Sequence, residues 1–282
     1  MKLFYWAWFF IGLAFVACDS SDGDGPVTTG DKRASIELDN ADVYASADYE
    51  FVLPQPFALA ANFQEAGLNY DEQRMNNVDK ASTYKTKGKK LLNFGVYSTN
   101  LVYAILNERP QASLKYFRTL QELAESIGMG AVFAEDNLAE KIEKNIVNKE
   151  VMEDLLIDLH ERSQEYLMDN DMRKLAAIQF TGAWIEAMYL ASHDFEDEVD
   201  LTVSSKIDDQ MTLIDNAIHA IETFENEDDD LLKVYEELLR FQKEYIDFES
   251  VKNPVDGIPQ LTSEEVNLLK RQIQSIRQLI VA

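Results

Sequence analysis

The sequence predicts an all-α protein, with eight or nine helices joined as antiparallel hairpins into a bundle-like body. Three observations carry this prediction. The stretch Leu175–Ala191, LAAIQFTGAWIEAMYLA, is apolar on every face, which marks a helix enclosed by others. In the last third, apolar residues recur in alternating steps of three and four, the spacing of a helix seam. From Phe51 on, no alternating run between turn signals is long enough to claim a sheet.

The chain has 282 residues, enough for a sizeable core. It carries 51 acidic against 26 basic residues, a formal charge of −25, which argues against nucleic acid or anionic lipid as a partner. Cys18 is the one cysteine, so neither an intrachain disulfide nor a cysteine-built metal site can form.

Residues 1–17, MKLFYWAWFFIGLAFVA, place Lys2 before a mostly apolar run ending in small residues, the layout of a cleaved signal peptide. Phe15-Val16-Ala17-Cys18 follows. It resembles the lipobox of bacterial lipoproteins, with Phe15 where leucine is usual, and the resemblance implies a lipidated Cys18 bearing palmitate-type chains. Residues 18–50 read as a lipidated cysteine and a flexible acidic tether, since DSSDGDGPVTTGDKRAS has no apolar periodicity. Asp19, Asp22 and Asp24 look like the acidic signal that carries many Bacteroidota lipoproteins to the cell surface, and equally suit a solvated linker.

Residues 51–282 form the helical domain, with a candidate sub-boundary near 194–202, where the acidic run Asp194–Asp200 lies. After the extended Leu53-Pro54-Gln55-Pro56, a first helix is expected over Phe57–Ala66, stopped by Gly67. A long helix is expected from Asp79 to Leu106. Pro110 suits the first turn of the next helix and Gly128 its C-terminal cap. Helices near Asn137–Ile146 and Lys149–Met168 precede the central one, for which Asp171 is the N-cap candidate. A membrane span is the rival reading of Leu175–Ala191. The run is short of the ~20 residues required, and it contains Glu186. Further on, Ile207, Met211, Ile214, Ile218 and Ile221 make one seam. Leu231, Val234, Leu238, Phe241, Tyr245 and Phe248 make a second, and Val266, Leu269, Ile273, Ile276 and Ile280 a third. Thr262 with Glu265 is a capping box.

Gly95-Val96-Tyr97 and Gly182-Ala183-Trp184 sit in the middle of the two most apolar helices, where glycine lets another backbone come close. With Leu53-Pro54-Gln55-Pro56, Ala66-Gly67-Leu68-Asn69-Tyr70, Ser98 and Ile185-Glu186, these segments resemble an uncharacterised family of helical lipoproteins from Bacteroidota. The resemblance implies a lipid-anchored helical protein and carries over no activity and no functional residues.

Catalytic patterns are scarce. None of His160, His193 and His219 has a glutamate three residues before it, as a helical di-metal site needs, and H-E-x-x-H, G-x-S-x-G and the phosphate-binding glycine loops are missing. No metal or other cofactor is expected. Lys85, Lys87, Lys89 and Lys90 form the one cationic run, read as the wet face of a helix. One group stands out: Glu186 is the only residue charged at neutral pH within LAAIQFTGAWIEAMYLA. A buried carboxylate must be paired or hydrogen-bonded. Tyr97, Asn100 and Tyr103 on the other apolar helix are candidate donors. Together with Glu186, Gln179 and Trp184 they make either a structural polar network or a small ligand pocket.

These observations lead to a lipid-anchored outer-membrane protein, on the cell surface or the periplasmic face, acting as a non-enzymatic helical binding or scaffolding module. Its membrane contact is the N-terminal lipid, and its partner is a protein or another envelope component. The alternative is an envelope enzyme, a hydrolase or metal-dependent, with a site assembled from distant residues. An α-solenoid is disfavoured by the unequal hairpin lengths.

Overall fold

The computed structural model describes residues 41–46, 49–54, 70–134, 137–170, 172–193, 201–222, 224 and 228–282. The stretch read as a signal peptide, Cys18, the aspartates after it, the helix expected over Phe57–Ala66, Asp171 and the run Asp194–Asp200 lie outside the described residues. All described residues belong to one unit, residues 35–282.

The body is all-α. Its helices are α1 (Lys87–Leu106), α2 (Pro110–Ser126), α3 (Gly130–Ala134), α4 (Leu138–Asn145), α5 (Lys149–Asp169) and α6 (Arg173–Ser192). Then come α7 (Leu201–Met211), α8 (Ile214–Glu222), α9 (Asp229–Asp247), α10 (Glu249–Lys252) and α11 (Ser263–Val281). An antiparallel hairpin precedes them: β1 (Ala41–Ser46) pairs with β2 (Tyr49–Pro54), in register from Ala41↔Pro54 to Ser46↔Tyr49. The hairpin lies across residue 50, where the tether was expected to end. Val43, Tyr44, Phe51 and Val52 are good strand formers. The two residues between the strands, Ala47 and Asp48, lack the Asn-Gly signature that marks a tight hairpin in sequence.

The central helix is enclosed as expected. Along α6, Ala177, Ile178, Trp184, Ile185, Glu186 and Met188 are all 0% exposed, and the helix lies against α1, α5, α8 and α11. Its N-cap position is held by Met172, which makes no side-chain cap. No helix among the described residues is long and apolar enough to cross a membrane.

α1 and α6 meet backbone to backbone. A Cβ on Gly95 would lie 1.9 Å from the Gln179 carbonyl oxygen, and one on Gly182 would lie 1.9 Å from that of Leu92. The two glycines therefore do what their places in the sequence suggested: each removes a side chain where the opposing helix passes. Thr99 completes the seam by donating to the Ala183 carbonyl at 3.1 Å.

Two helices differ from expectation. The helix foreseen over Asp79–Leu106 begins only at Lys87, behind a 3-10 turn at Val78–Thr83. Thr86 caps it by accepting from the Lys89 N–H at 3.2 Å, while Tyr84 turns inward and is 4% exposed. The Gly88 N–H, otherwise an orphan of the first turn, donates to the Asp228 carboxylate at 3.0 Å, and the other oxygen of that carboxylate caps α9. The seam from Ile207 to Ile221 is cut between α7 and α8. There the Thr212 hydroxyl donates to the Asp209 carbonyl at 2.6 Å, a local bond that competes with helix continuation. Met211, Leu213 and Ile214 stay buried across the break, so the apolar face survives it. The capping box of α11 forms as read, with Thr262 accepting from the Glu265 N–H and Glu265 from the Thr262 N–H.

Candidate functional site

The six candidate residues separate into four places. Glu186 is fully buried and is met by Arg277 from α11, which donates Nε to Oε2 at 2.6 Å and Nη2 to Oε1 at 3.0 Å. Asn100 of α1 donates to Oε1 at 2.6 Å. The remaining reach of the guanidinium goes to the Arg74 carbonyl at 3.2 Å, and its face lies 3.9 Å from the centre of the Tyr189 ring. Burial works against the Arg277 charge, but the Glu186 carboxylate more than offsets it, and the Arg277 pKa is raised. This is a bidentate, stacked ion pair that joins α1, α6, α11 and the segment before α1.

Tyr97 and Tyr103 do not reach Glu186. Tyr97 donates to the Asn77 carbonyl at 2.9 Å, and Tyr103 accepts from the Asp71 N–H at 3.0 Å. They belong to a second polar cluster that pins residues 70–86 to the helices. Asn76 is its hub. Its N–H donates to Asn100 at 2.8 Å, its carbonyl accepts from Tyr116 at 2.9 Å, and its side-chain amide donates to Tyr84 at 3.0 Å. Lys89 and Lys80 cap the far end of α11: Lys89 donates to the Leu279 carbonyl, and Lys80 to that of Val281 at 3.0 Å. Lys89 thus departs from the wet-face reading of the lysine run, and burial holds its pKa below the usual lysine range.

The phenols of this cluster give a pH prediction. Burial pushes Tyr84, Tyr97 and Tyr116 above the usual tyrosine range. In the folded chain they keep protons that an unfolded tyrosine releases near pH 10.0, so above that pH the unfolded state binds fewer protons. The stability they contribute is complete below pH 10.0 and is lost as pH rises towards their folded values. Urea unfolding on either side of this pH should show the loss, with part of the tyrosinate absorbance appearing only on unfolding. Titration of all tyrosines with the fold intact would contradict it.

Trp184 lies in a third place, 0% exposed beside Phe241 with ring centres 6.2 Å apart, and its indole N–H has no hydrogen-bond partner among the described residues.

Gln179 alone of the six reaches a cavity. This is a partly open cleft of about 80 Å³ between α1, α2, α3, α5 and α6. Phe94, Leu101, Leu120, Phe133, Leu159 and Phe180 form its apolar walls, and Ser98, His160, Ser163, Gln164 and Gln179 are its polar members. The Ser98 and Ser163 hydroxyls donate back to the Phe94 and Leu159 carbonyls, both at 2.8 Å. Gln179 donates to the Met129 thioether at 3.1 Å, a weak acceptor. The Gln164 Oε1 is buried and accepts no hydrogen bond among the described residues. Burial of an unpaired acceptor costs about 1–3 kcal/mol. Among the described residues that line the cleft there is no Lys, Arg, Asp or Glu.

Sequence reading missed Arg277, Asn76 and the cleft. A partial signal for Arg277 was present: it lies four residues after Ile273 and three before Ile280, beside the apolar seam of α11, a position that Lys270 shares one heptad earlier. His160 was weighed only as a metal ligand, and it lines the cleft instead. Among the described residues no group of three or more His, Cys, Asp and Glu could hold a metal ion. Comparison of the chain with family models, with curated proteins and with solved structures found no match.

Proposed function

We propose that the protein is a lipid-anchored component of the outer membrane whose helical body is a non-enzymatic binding module, with the cleft between α1, α2, α3, α5 and α6 as its ligand site. The observation that carries the binding reading is the cleft itself: concave, mainly apolar, with a few polar side chains along its lining. The anchor rests on Phe15-Val16-Ala17-Cys18 after an apolar leader, and on the resemblance of the chain to helical Bacteroidota lipoproteins. Two or more acyl chains at Cys18 would hold it firmly, since each buried methylene contributes about 0.8 kcal/mol.

The binding half is tested by melting the protein with and without an organic extract of the cell envelope. Wild type should melt higher with extract. Ser163→Phe, which fills the cleft from α5, should lose that shift. An equal shift in both, or none in wild type, counts against the cleft.

The anchor half is tested by Cys18→Ser, which should abolish labelling by radioactive palmitate and release the protein from membranes. A wild type that takes no label removes the lipoprotein reading. Proteinase K on intact cells then decides the face: digestion places the body on the cell surface, and protection places it in the periplasm.

A further inference from the structure

We infer that the outer face of α9 docks a second copy of this chain, whose own α9 lies there antiparallel about a two-fold axis at Leu239. Register comes first. The core seam of α9, Leu231, Val234, Leu238, Phe241 and Tyr245, is buried. Leu232, Leu239 and Ile246 each follow a member of that seam by one residue and lie seven apart. They form a line of their own, about 100° around the helix from the core. Leu232 is half-buried, Leu239 is 38% exposed and Ile246 is 54% exposed. A spacing of seven is what a second helix packed nearly parallel to the axis needs.

Charge says what that helix is. The chain carries −25, yet the exposed residues around this line are Asp229, Lys233, Glu236, Arg240, Lys243 and Asp247, three of each sign. A balanced face in an acidic chain is one that a second acidic copy can approach. A two-fold contact must also be complementary to itself. Glu236 and Lys243 flank the line on its solvent side, seven apart and of opposite sign. With the axis at Leu239, Leu239 meets its own counterpart and Leu232 meets the partner's Ile246. Glu236 then meets the partner's Lys243, once on each side of the axis. Lys243 now reaches Asp247 of its own helix at 2.6 Å, a pair so exposed that exchanging it costs little.

Direction follows from the other flank. There Tyr235 packs on the core and Gln242 donates to Asp215 of α8, so α8 closes that side. A parallel pairing would turn the Glu236–Lys243 flank of each copy towards the α8 side of the other and leave both charges unmatched. Antiparallel pairing keeps the charged flanks together. One helix line buries less than the roughly 800 Å² per partner of a standard stable interface, so the dimer is weak and concentration-dependent. Its ion pairs lie at the rim and set orientation more than affinity.

Sedimentation of the full chain in density-matched detergent, over a series of concentrations, measures the association. Wild type should pass from monomer to dimer. Leu239→Asp should stay monomeric throughout while melting as wild type does, because the position is outside the core. Ile246→Asp serves the same purpose should the first variant fail to fold. Glu236→Lys and Lys243→Glu should each weaken the dimer about 10-fold, since each change sets like charges together twice. Glu236→Lys combined with Lys243→Glu should restore the wild-type affinity. Wild type that stays monomeric overturns the inference and leaves the face to a different protein. A dimer that survives both aspartate variants places the contact elsewhere and overturns it as well. A double charge swap that fails to restore the dimer overturns the antiparallel pairing.

Discussion

Gly95→Ala and Gly182→Ala should each cost about 3 kcal/mol or more, read as a fall in the urea midpoint. Each added methyl would stand 1.9 Å from a backbone carbonyl oxygen of the opposing helix. A side chain could rotate away from such a contact, but a carbonyl within a helix cannot, so the whole α1–α6 pair must separate. Domains are stable by only about 5–15 kcal/mol, so either change takes a large share of the margin. The double variant should cost less than the sum of the two, because helices already pushed apart have room for the second methyl. Gly128→Ala is the control. Its φ of +87° disfavours a side chain, yet nothing lies within 4 Å of a Cβ there, so about 1 kcal/mol is expected. Midpoints for Gly95→Ala and Gly182→Ala no lower than that of the control would mean that the two backbones do not touch.

Arg277→Met should cost about 3–5 kcal/mol. The methionine fills much of the same space, so the loss is electrostatic: the Glu186 carboxylate, 0% exposed, is left with Asn100 as its partner. Arg277→Lys should fall between, since an ammonium cannot make the two-pronged contact or lie flat on the Tyr189 ring. The informative variant is the double one. With Glu186→Leu and Arg277→Met combined, no charge remains buried, and stability should return close to that of wild type or exceed it. A double variant as unstable as the worse single one would show that shape, not charge compensation, fixes this part of the core.

The same residues show how far the amino-acid pattern reaches. Burial of α6 on all sides was legible because it is a property of one segment: no polar stripe exists between Leu175 and Ala191. The capping box at Thr262 and Glu265 was legible for the same reason, being local in sequence. The central glycines were legible as places of close approach, because a glycine inside an apolar helix has few other uses. Pairing between segments is a different matter. Glu186 announced that it needed a partner, and three hydroxyl or amide side chains on α1 were the obvious candidates. Only Asn100 reaches it, and the main partner lies 91 residues away on α11. The cleft was illegible because five helices build it, and Gln164 and His160 look like ordinary surface residues until α1 and α6 close against α5. The break before Lys87 depended on Tyr84 meeting Asn76, again a tertiary contact.

The Glu186–Arg277 pair also makes the α1–α6 contact depend on α11. Without α11, that contact keeps its glycine seam. Without α11, the carboxylate at the centre of that contact loses its charged partner. The loop between the two charges spans 91 residues, and closing it draws on entropy that grows slowly with length. The final docking of α11 at once neutralises the carboxylate, supplies an acceptor row for Lys80, Lys89 and Asn93, and clamps the Arg74 carbonyl. A chain cut before Ser263 should therefore remain an expanded, protease-sensitive intermediate rather than a smaller native protein. Resistance to proteolysis becomes a checkpoint that only a molecule with α11 in place can pass.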